Sequence, residues 1–392
     1  MDRADETLIP PATAWLHDPA TRAVCDAITA EGAAIYFVGG AVRDALLGVP
    51  GADVDLSTDV LPEETERLAK AAGLRTVPTG IEHGTVTVIS QGRGFEVTTF
   101  RRDVETDGRR AVVSFSRDIH DDARRRDFTL NALYATPDGG LVDPLGGLED
   151  CLSRRIRFIE DAEKRIREDY LRILRYFRFH AWYSDPSEGF DTDAMDAITR
   201  NIDGLETLSA ERTGTEMRRL LAAPDPAPAI AAMRQTGALL QVLPGADDRF
   251  LAPLVHLELL TGQAPDAIRR LAALEGEDPA ERLRLSRKDT RKLAQINRAL
   301  AGGTPLTELA WREGVPLAFS VMLLLHAMSG TPPDPDILPK LKRAAEAVFP
   351  VTAADLMPAY KGPALGERLK ALEARWIASG FRLSREDLMT GE

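Results

Sequence analysis

The stretch from Ile35 to Asp59, which reads IYFVGGAVRDALLGVPGADVDLSTD, most constrains how this chain can fold. An apolar run, Ile35–Val38, leads directly into the pair Gly39-Gly40. The next residues, Ala41–Leu47, have the composition of a short helix, and Asp53–Ser57 has the alternation of a strand. The order therefore predicts a strand, a tight turn, a helix and a second strand.

Two carboxylates alternate with apolar residues on the predicted second strand. Successive side chains of a strand point to opposite faces, so Asp53 and Asp55 share one face while Val54 and Leu56 pack on the other. Neighbouring carboxylates repel each other, and folding gains nothing from that repulsion. A divalent cation would relieve it, and Mg²⁺ commonly binds one or two carboxylates together with substrate phosphates.

The glycine pair fits the same kind of site. Gly39 and Gly40 allow a positive φ and a close approach of the backbone. The helix that follows offers its first N–H groups to a phosphate, and Arg43 adds positive charge in the first turn. Each piece alone is common, since most Gly-Gly pairs are simple turns and most Asp-x-Asp pairs lie in solvated loops. The joint spacing predicts a site that holds a nucleoside triphosphate over metal.

The rest of the chain indicates an α+β protein. With 392 residues it is long enough for two or more domains. Residues 21–150 alternate apolar runs with helical patterns, with further strands predicted at Thr85–Ser90 and Phe95–Phe100 and a helix at Leu61–Gly73 with Asp59 as a possible N-cap. From about Ala162 onward, helical spacing dominates.

This pattern predicts four parts. Residues 1–20 form an irregular leader, and 21–150 form a mixed α/β part with a small sheet. Residues 151–225 and 226–392 form two helical parts.

Composition excludes several classes of protein. No run of about 18 apolar residues is present, so no membrane span is predicted. The acidic start lacks the features of a signal peptide, and two cysteines, Cys25 and Cys151, favour a reducing compartment. We therefore expect a cytoplasmic protein.

Charge is unevenly distributed. A net charge of −12 argues against broad, nonspecific nucleic-acid binding. Two stretches are nevertheless basic, Arg154–Arg178 with nine cations against five acids and Glu281–Arg298 with seven against two. From charge alone, each is either a solvated helix face or a phosphate contact.

The motif GGAVRDALLG-x4-DVD resembles the head of the class II tRNA nucleotidyltransferases and bacterial poly(A) polymerases, which belong to the polymerase β-like nucleotidyltransferases. The resemblance continues through RRRDFTLNALY (Arg124–Tyr134), VDPLGGLEDCLSRRIRF (Val142–Phe158) and REDYLRILRYFRF (Arg167–Phe179). It covers roughly the first half of the chain, whereas the C-terminal half resembles the family only loosely.

The resemblance implies that 21–150 form a catalytic head, 151–225 a helical neck with the base-selecting helix, and 226–392 a helical body and tail that bind tRNA. It also implies Mg²⁺-dependent nucleotidyl transfer. Asp53 and Asp55 would be the catalytic, metal-binding carboxylates, and the acid of Phe95-Glu96-Val97 is the candidate for a third. Glu96 is nearly as well explained as a solvent-facing strand residue. A nucleotide would be bound by Gly39 and Gly40 together with further residues from three motifs: Arg43, Arg126, Asp127, Asp169, Arg172, Arg175 and Arg178.

The helix around Arg172 has two interpretations. The simpler one is an amphipathic helix with an i,i+3 ion pair between Asp169 and Arg172. The resemblance to the family's EDxxR motif implies instead that these two residues select the incoming base. Cytosine and adenine each present an amino donor beside a ring-nitrogen acceptor, which a carboxylate and a guanidinium complement. Arg175 and Arg178 would then face the triphosphate or stiffen the pair.

Two segments favour addition of the full CCA sequence to tRNA from CTP and ATP. Pro78–Val86 resembles CCA-adding members, and Arg101–Arg124 resembles an intact flexible loop. Gln91–Val97 departs from the segment usual in poly(A) polymerases. Poly(A) addition, and CC-only or A-only addition, stay open. More remote are a small-molecule nucleotidyltransferase and a noncatalytic RNA-binding module. The sequence does not determine the oligomeric state.

Overall fold

The computed structural model describes residues 9–49, 51, 53–107 and 110–390. The chain divides into two units. The first comprises Met1–Glu216 and Gln235–Val242, and the second comprises Met217–Arg234 and Leu243–Glu392.

The strands and helices follow the order that the sequence predicts, with a sheet first and helices afterwards. The strands are β1 (Ile35–Val38), β2 (Asp55–Thr58), β3 (Arg75–Gly80), β4 (Thr85–Ser90), β5 (Arg93–Thr99), β6 (Arg101–Asp107), β7 (Arg110–Phe115), β8 (Tyr134–Ala135) and β9 (Leu141–Val142). In chain order, the helices begin with α1 (Ala14–His17), α2 (Pro19–Thr29), α3 (Gly40–Leu47), α4 (Pro62–Ala71), α5 (Ile119–Arg124), α6 (Leu148–Leu152), α7 (Ala162–Glu168), α8 (Leu171–Tyr183), α9 (Thr192–Arg200) and α10 (Ala210–Leu221). The remaining helices are α11 (Ala227–Thr236), α12 (Ala238–Val242), α13 (Leu251–Leu260), α14 (Ala267–Ala273), α15 (Pro279–Arg282), α16 (Arg287–Gly302), α17 (Leu306–Glu313), α18 (Val315–Ser329), α19 (Ile337–Ala345), α20 (Ala353–Leu356), α21 (Pro363–Ala378) and α22 (Arg385–Thr390). Short 3₁₀ helices lie at Ile81–His83, Thr129–Asn131 and Ile202–Thr207.

The larger sheet is mixed, with strand order β3-β4-β5-β2-β1-β8-β9. Strands β2 and β5 pair in parallel, and the other neighbours in this sheet pair antiparallel. The parallel register places Asp55 opposite Glu96. Buried side chains that include Val38, Phe100 and Tyr134 form a core beside this sheet.

Most predicted elements are confirmed with small shifts at their ends. Strands β1 and β4 have the predicted bounds, whereas β2 begins at Asp55 rather than Asp53. Asp53 therefore lies just before the strand, and the prediction that both carboxylates sit on one strand face is wrong in that detail. The predicted helix Leu61–Gly73 is α4, but Leu61 is its N-cap. Asp59 instead accepts a hydrogen bond from the Ala34 amide at 2.8 Å, because the neighbouring segment supplies a donor that local sequence does not reveal.

Two segments predicted to be irregular contain regular structure. Within the predicted leader, residues 1–8 lie outside the described residues, while α1 and the start of α2 occupy Ala14–Ala20. The predicted loop Arg101–Arg124 contains the antiparallel pair β6–β7 and helix α5, and its residues 108–109 lie outside the described residues. The β-branched pair Val112-Val113 and the aromatic Phe115 favour an extended strand in β7.

The second unit is helical in its described residues, as predicted. One of its cores packs Trp376 against Trp311 and Phe381, with ring centroids 5.5 and 4.9 Å away. Across the described part of the chain, no helix is both long and apolar enough to cross a membrane. Cys25 and Cys151 are both buried and free.

Candidate nucleotide-binding site

A cavity of about 420 Å³ in the first unit gathers most of the predicted site residues. They come from the β1–α3 turn, the start of β2, the segment after α5, helix α8, and Asp169, which lies two residues before α8. The lining residues are Gly39, Gly40, Arg43, Asp55, Arg125, Arg126, Asp127, Asn131, Asp169, Arg172, Arg175, Arg178 and Phe179. Six arginines face three aspartates, so the cavity suits an anionic ligand. A larger cavity of about 780 Å³ shares Arg125 but contains neither the glycine pair nor Asp55.

The glycine turn brings backbone close to this cavity. Gly39 has φ +66°, and a Cβ there would lie 3.4 Å from Nη1 of Arg126, so only glycine suits the position without strain. Helix α3 starts at Gly40, and Arg43 in its first turn is buried. The Arg43 guanidinium donates to Asn131 at 2.6 Å and to the Tyr183 hydroxyl at 2.8 Å. These contacts hold Arg43 in one orientation at the wall of the cavity.

The carboxylates meet at the start of β2. Asp55 lies opposite Glu96 in the parallel β2–β5 pair. Desolvation of the Asp55 carboxylate, followed by the negative charges of Glu96 and Asp53, raises the pKa of Asp55, and the charge of Arg126 only partly offsets this. The described residues contain no ready-made cluster of three metal-ligating side chains. Asp55 is nevertheless close enough to Glu96 and Asp53 to be repelled by both charges, and a cation would stabilise such a donor set.

Arg126 is oriented by a residue that the sequence analysis did not identify. Asp122, on α5, is buried and accepts from Nη2 of Arg126 at 2.8 Å and from the Tyr134 hydroxyl at 2.7 Å. It also accepts from Nε of Arg125 at 2.7 Å. Burial alone would raise the pKa of Asp122, but the charges of Arg126 and Arg125 outweigh burial and hold it well below its usual value. Asp122 is therefore ionised and aligns both arginines.

Asp127 joins the segment after α5 to helix α8. Nε of Arg175 donates to Asp127 at 2.7 Å, and the Asn131 amide donates to its other oxygen at 2.9 Å. Burial would raise the pKa of Asp127, but Arg175 and the Asn131 hydrogen bond lower it to about 2. Because Asn131 also binds Arg43, one hydrogen-bonded chain runs from Arg43 through Asn131 and Asp127 to Arg175.

Asp169 and Arg172 both line the cavity, but they do not pair with each other as the simpler prediction proposed. Asp169 has an extended backbone and lies before the N-cap residue Tyr170, so it stands outside helix α8, although its carbonyl accepts from the Arg172 amide at 3.0 Å. Arg172 instead pairs with Glu168 at 2.6 Å and donates to the Arg125 carbonyl at 3.0 Å. Its Nε–H and one Nη2–H have no acceptor among these contacts, so a fork of two donors remains for a ligand.

Helix α10 contributes two charged residues that the sequence analysis missed. Arg212 donates to Oδ2 of Asp169 at 2.6 Å. One turn later, buried Glu216 accepts from Nε of Arg178 and lies 4.0 Å from Nη1 of Arg175. A cation and an anion four residues apart on one helix were the available signal, but only packing shows which residues they face.

The structure thus brings together most of the predicted site residues. Gly39, Gly40 and Arg43 meet Arg126 and Asp127 from the head motifs and the four predicted residues of the EDxxR region, which are Asp169, Arg172, Arg175 and Arg178. Asp55 reaches the cavity, whereas Asp53 and Glu96 lie beside Asp55 without lining it.

Comparisons with known proteins match the same part of the chain. The family model described as Poly A polymerase head domain matches residues 35–157. The model described as probable RNA and SrmB-binding site of polymerase A matches residues 189–250. The chain is 33% identical over 379 residues to CCA tRNA nucleotidyltransferase 1, mitochondrial, of Danio rerio, covering 91% of this chain and 86% of that protein. The chain belongs to the CCA tRNA nucleotidyltransferase family.

Other relatives of this family support the assignment. A CCA-adding enzyme of Streptococcus pyogenes is 47% identical over 202 residues, which is 50% of this chain and 48% of that protein. The crystal structure of the Bacillus stearothermophilus CCA-adding enzyme in complex with CTP superposes with a TM-score of 0.69 at 29% identity, covering 92% of this chain and 94% of that one. The predicted α+β architecture, a mixed-sheet head followed by helices, is therefore confirmed. Nucleotidyltransferases of this kind are typically metal-dependent.

Proposed function

We propose that this protein adds C, C and A to the 3′ end of tRNA, using CTP and ATP and no nucleic-acid template. The observation that carries the proposal is the cavity in which the glycine turn, Asp55 and the residues Asp169 and Arg172 meet. The relatives are named for CCA addition, and the similarity to one of them runs along 91% of this chain. We also propose that residues 21–150 perform the chemistry and that the helical remainder binds tRNA.

The reaction joins the 3′ end of tRNA to the α-phosphate of a nucleotide that the cavity holds. The tRNA 3′-hydroxyl oxygen forms a bond to the α-phosphorus of the nucleotide, and the bond from that phosphorus to the bridging oxygen breaks, which releases pyrophosphate. Backbone at Gly39 and Gly40, with Arg43 and Arg126, would bind the triphosphate. Asn131 already holds the Arg43 side chain, and Asp122 already holds the Arg126 side chain, so these arginines need little reorganisation when the triphosphate binds.

Mg²⁺ is the metal that fits the donors best. Asp53 and Asp55 would hold it, with Glu96 as a third candidate, because burial and then the charges of Glu96 and Asp53 raise the pKa of Asp55, and hard oxygen donors suit this ion. When bound, Mg²⁺ supplies charge neutralisation on the triphosphate and a lowered pKa for the attacking hydroxyl.

Base selection would fall to Asp169 and Arg172. Asp169 uses one oxygen for the Leu171 amide and one for Arg212, which leaves lone pairs for an amino group. Among the described residues, the contacts of Arg172 leave two of its N–H groups for a ring nitrogen. Uracil and guanine invert this donor–acceptor order and would leave buried groups unpaired, so they would be rejected. Arg175 and Arg178 are proposed to stiffen this face of α8.

Two other products belong to the same chemistry. Poly(A) addition stays a candidate because the matching head model is described as a poly(A) polymerase head. CC-only or A-only addition would use the same cavity. We propose a cytoplasmic location, in keeping with the two free cysteines.

The test is extension of a tRNA transcript that ends before CCA, with Mg²⁺ and each nucleotide alone and then with CTP plus ATP. We expect stepwise addition of C, C and A, followed by arrest. The variant D55N should lose activity by at least about a thousandfold while remaining folded, because it removes the charge that would hold metal. Arrest after two C, or a long A ladder, would replace this proposal by one of the alternatives, and no extension by folded protein would refute it.

A further inference from the structure

Phe179 of helix α8 lines the nucleotide cavity among charged residues, although it carries no charge itself. Its side chain is buried, with 4% of the residue surface exposed. Three arginines of the cavity lie over its ring. Cζ of Arg178 is 4.5 Å from the ring centre, and Cζ of Arg43 and Cζ of Arg175 are each 5.3 Å away. Because these arginines belong to two helices, α3 and α8, the ring is a contact that both helices share.

The sequence places this ring on the charged side of α8. Phe179 follows Arg175 by four residues, so the two lie on one face of the helix. Phe177, two residues earlier, lies on the opposite side and is fully buried. The Phe179 ring is also anchored, since the ring centres of Phe128 and Tyr183 lie 5.0 and 5.4 Å away. It therefore offers the arginines a fixed surface.

Tyr183 extends this contact by one helical turn. Cζ of Arg43 lies 4.0 Å from the centre of the Tyr183 ring, and Nη2 of Arg43 donates to the Tyr183 hydroxyl at 2.8 Å. Phe179 and Tyr183 thus form an aromatic pair on α8 that contacts Arg43 of α3 from two positions.

The aromatic pair holds cations in a way that carboxylates cannot. Guanidinium groups gathered in one cavity repel one another. Each of the three already has a carboxylate partner, in the pairs Arg43–Asp44, Arg175–Asp127 and Arg178–Glu216. A further carboxylate would hold the arginines as well, but it would repel a triphosphate. The face of an aromatic ring attracts a cation through its quadrupole and leaves the positive charge available to an anion.

We propose that Phe179 is a positioning residue for the triphosphate, an inference that rests on the proposed function. It holds Arg43, which binds the phosphates, and it fixes Arg175 and Arg178, whose charges add to the positive potential of the cavity. It does not read the base, so it acts equally on CTP and ATP.

The binding test compares F179L with F177L, which makes the same change at another buried phenylalanine of α8. Phe177 packs against Tyr176 and Phe190, and among the described residues no arginine lies over its ring. The probe is tripolyphosphate, and its Kd is measured by calorimetry with the full chain. Leucine keeps an apolar side chain but removes the quadrupole, so we expect F179L to raise this Kd about tenfold and F177L to raise it less than about twofold. The Tm should fall in both variants.

Kinetics separate this role from a general loss of structure. With a tRNA transcript that ends before CCA, F179L should raise the KM for CTP about tenfold and lower kcat less than about threefold, because the ring acts on phosphate binding. With a transcript that ends in CC, the KM for ATP should rise by the same factor. The ratio of kcat/KM for CTP to that for UTP should not change. F179Y, which keeps the ring, should bring both KM values to within about twofold of the unaltered chain.

Equal shifts in F179L and F177L, an unchanged tripolyphosphate Kd in F179L, or a changed ratio of CTP to UTP would overturn the inference. If F179L does not fold, the comparison moves to Tyr183. Y183L should then raise the tripolyphosphate Kd more than Y183F, which keeps the ring, and equal values would overturn the inference. Failure of the proposed function is distinguishable, since it would appear as absent tRNA extension by the unaltered chain, whereas tripolyphosphate binding is measured without RNA.

Discussion

Arg43, Arg126 and Arg175 show how single residues build the nucleotide cavity. Each guanidinium has a fixed partner away from the ligand: Asn131 for Arg43, Asp122 for Arg126 and Asp127 for Arg175. Such pairs hold long side chains in one rotamer and so reduce the entropy lost when a triphosphate binds. Asp169 is held in the same way by Arg212.

Removing Arg212 should weaken base discrimination. In R212Q the Asp169 carboxylate loses a charge-assisted hydrogen bond, which is worth roughly 1.5 to 3 kcal/mol, and becomes free to turn. We expect the ratio of kcat/KM for CTP to that for UTP to fall about tenfold, with partial rescue by R212K, which keeps one donor. R200Q, at an exposed ion pair of α9, is the control. An equal loss with every nucleotide and an unchanged ratio would contradict this role.

At the scale of elements, helix α10 and the 3₁₀ helix Ile202–Thr207 place the start of α8. Arg212 and Glu216 lie one turn apart on α10, where Arg212 pairs with Asp169 and Glu216 with Arg178. Gly204 approaches Tyr170, the N-cap of α8, so closely that a Cβ would lie 2.0 Å from the Tyr170 ring. Backbone packing at Gly204 therefore fixes the residue next to Asp169.

The variant G204A should displace Tyr170 and with it Asp169. Overpacking of this kind costs about 1 to 3 kcal/mol of unfolding free energy. We expect a lower Tm and at least about a tenfold loss in kcat/KM for CTP, measured by single-nucleotide extension. G366A is the matched control, because a Cβ there meets no atom within 4 Å and alanine favours the helix α21. Wild-type activity and stability of G204A would show that Tyr170 moves aside without consequence.

At the scale of the whole molecule, a chain of net charge −12 gathers positive charge at the nucleotide cavity of the first unit and at a cavity of the second unit lined by the start of α16. The first unit balances its cations with buried acids whose pKa values are lowered, Asp122 and Asp127. In the second unit, Arg287, Lys288 and Arg291 of α16 are exposed and have no ion-pair partner in the described residues. Buried acids of this kind make the stability of the first unit depend on pH.

Acid should therefore weaken the protein in a defined range. The pKa of Asp127 is about 2 in the folded chain, below its value when unfolded, so its contribution to stability is complete above about pH 4 and is lost as the pH falls toward 2. The expected loss is about 2 kcal/mol, measured by urea unfolding between pH 5 and pH 2.5. In D127N the stability should be lower at neutral pH and should change less over this range. Identical pH profiles for the two proteins would contradict the assignment.

The sequence by itself determined the strand–glycine–helix–carboxylate order, the α+β class and the identity of most cavity residues. These properties follow from local periodicity and from short motifs, which neighbouring residues encode. Even there the local signal was incomplete, since β2 starts at Asp55 and Asp59 binds the Ala34 amide rather than capping α4.

Only the tertiary structure decided which charges meet. The observed ion pairs are a few among many that the sequence would allow. They join Asp122 to Arg126, Arg212 to Asp169, and Arg172 to Glu168 rather than to Asp169. A residue's sequence neighbours fix the face of the helix on which it lies, but the packing of that helix selects its partner. Residues such as Asp169 and Arg212, which are 43 positions apart, come together only when α8 and α10 pack, so no local pattern could predict the contact.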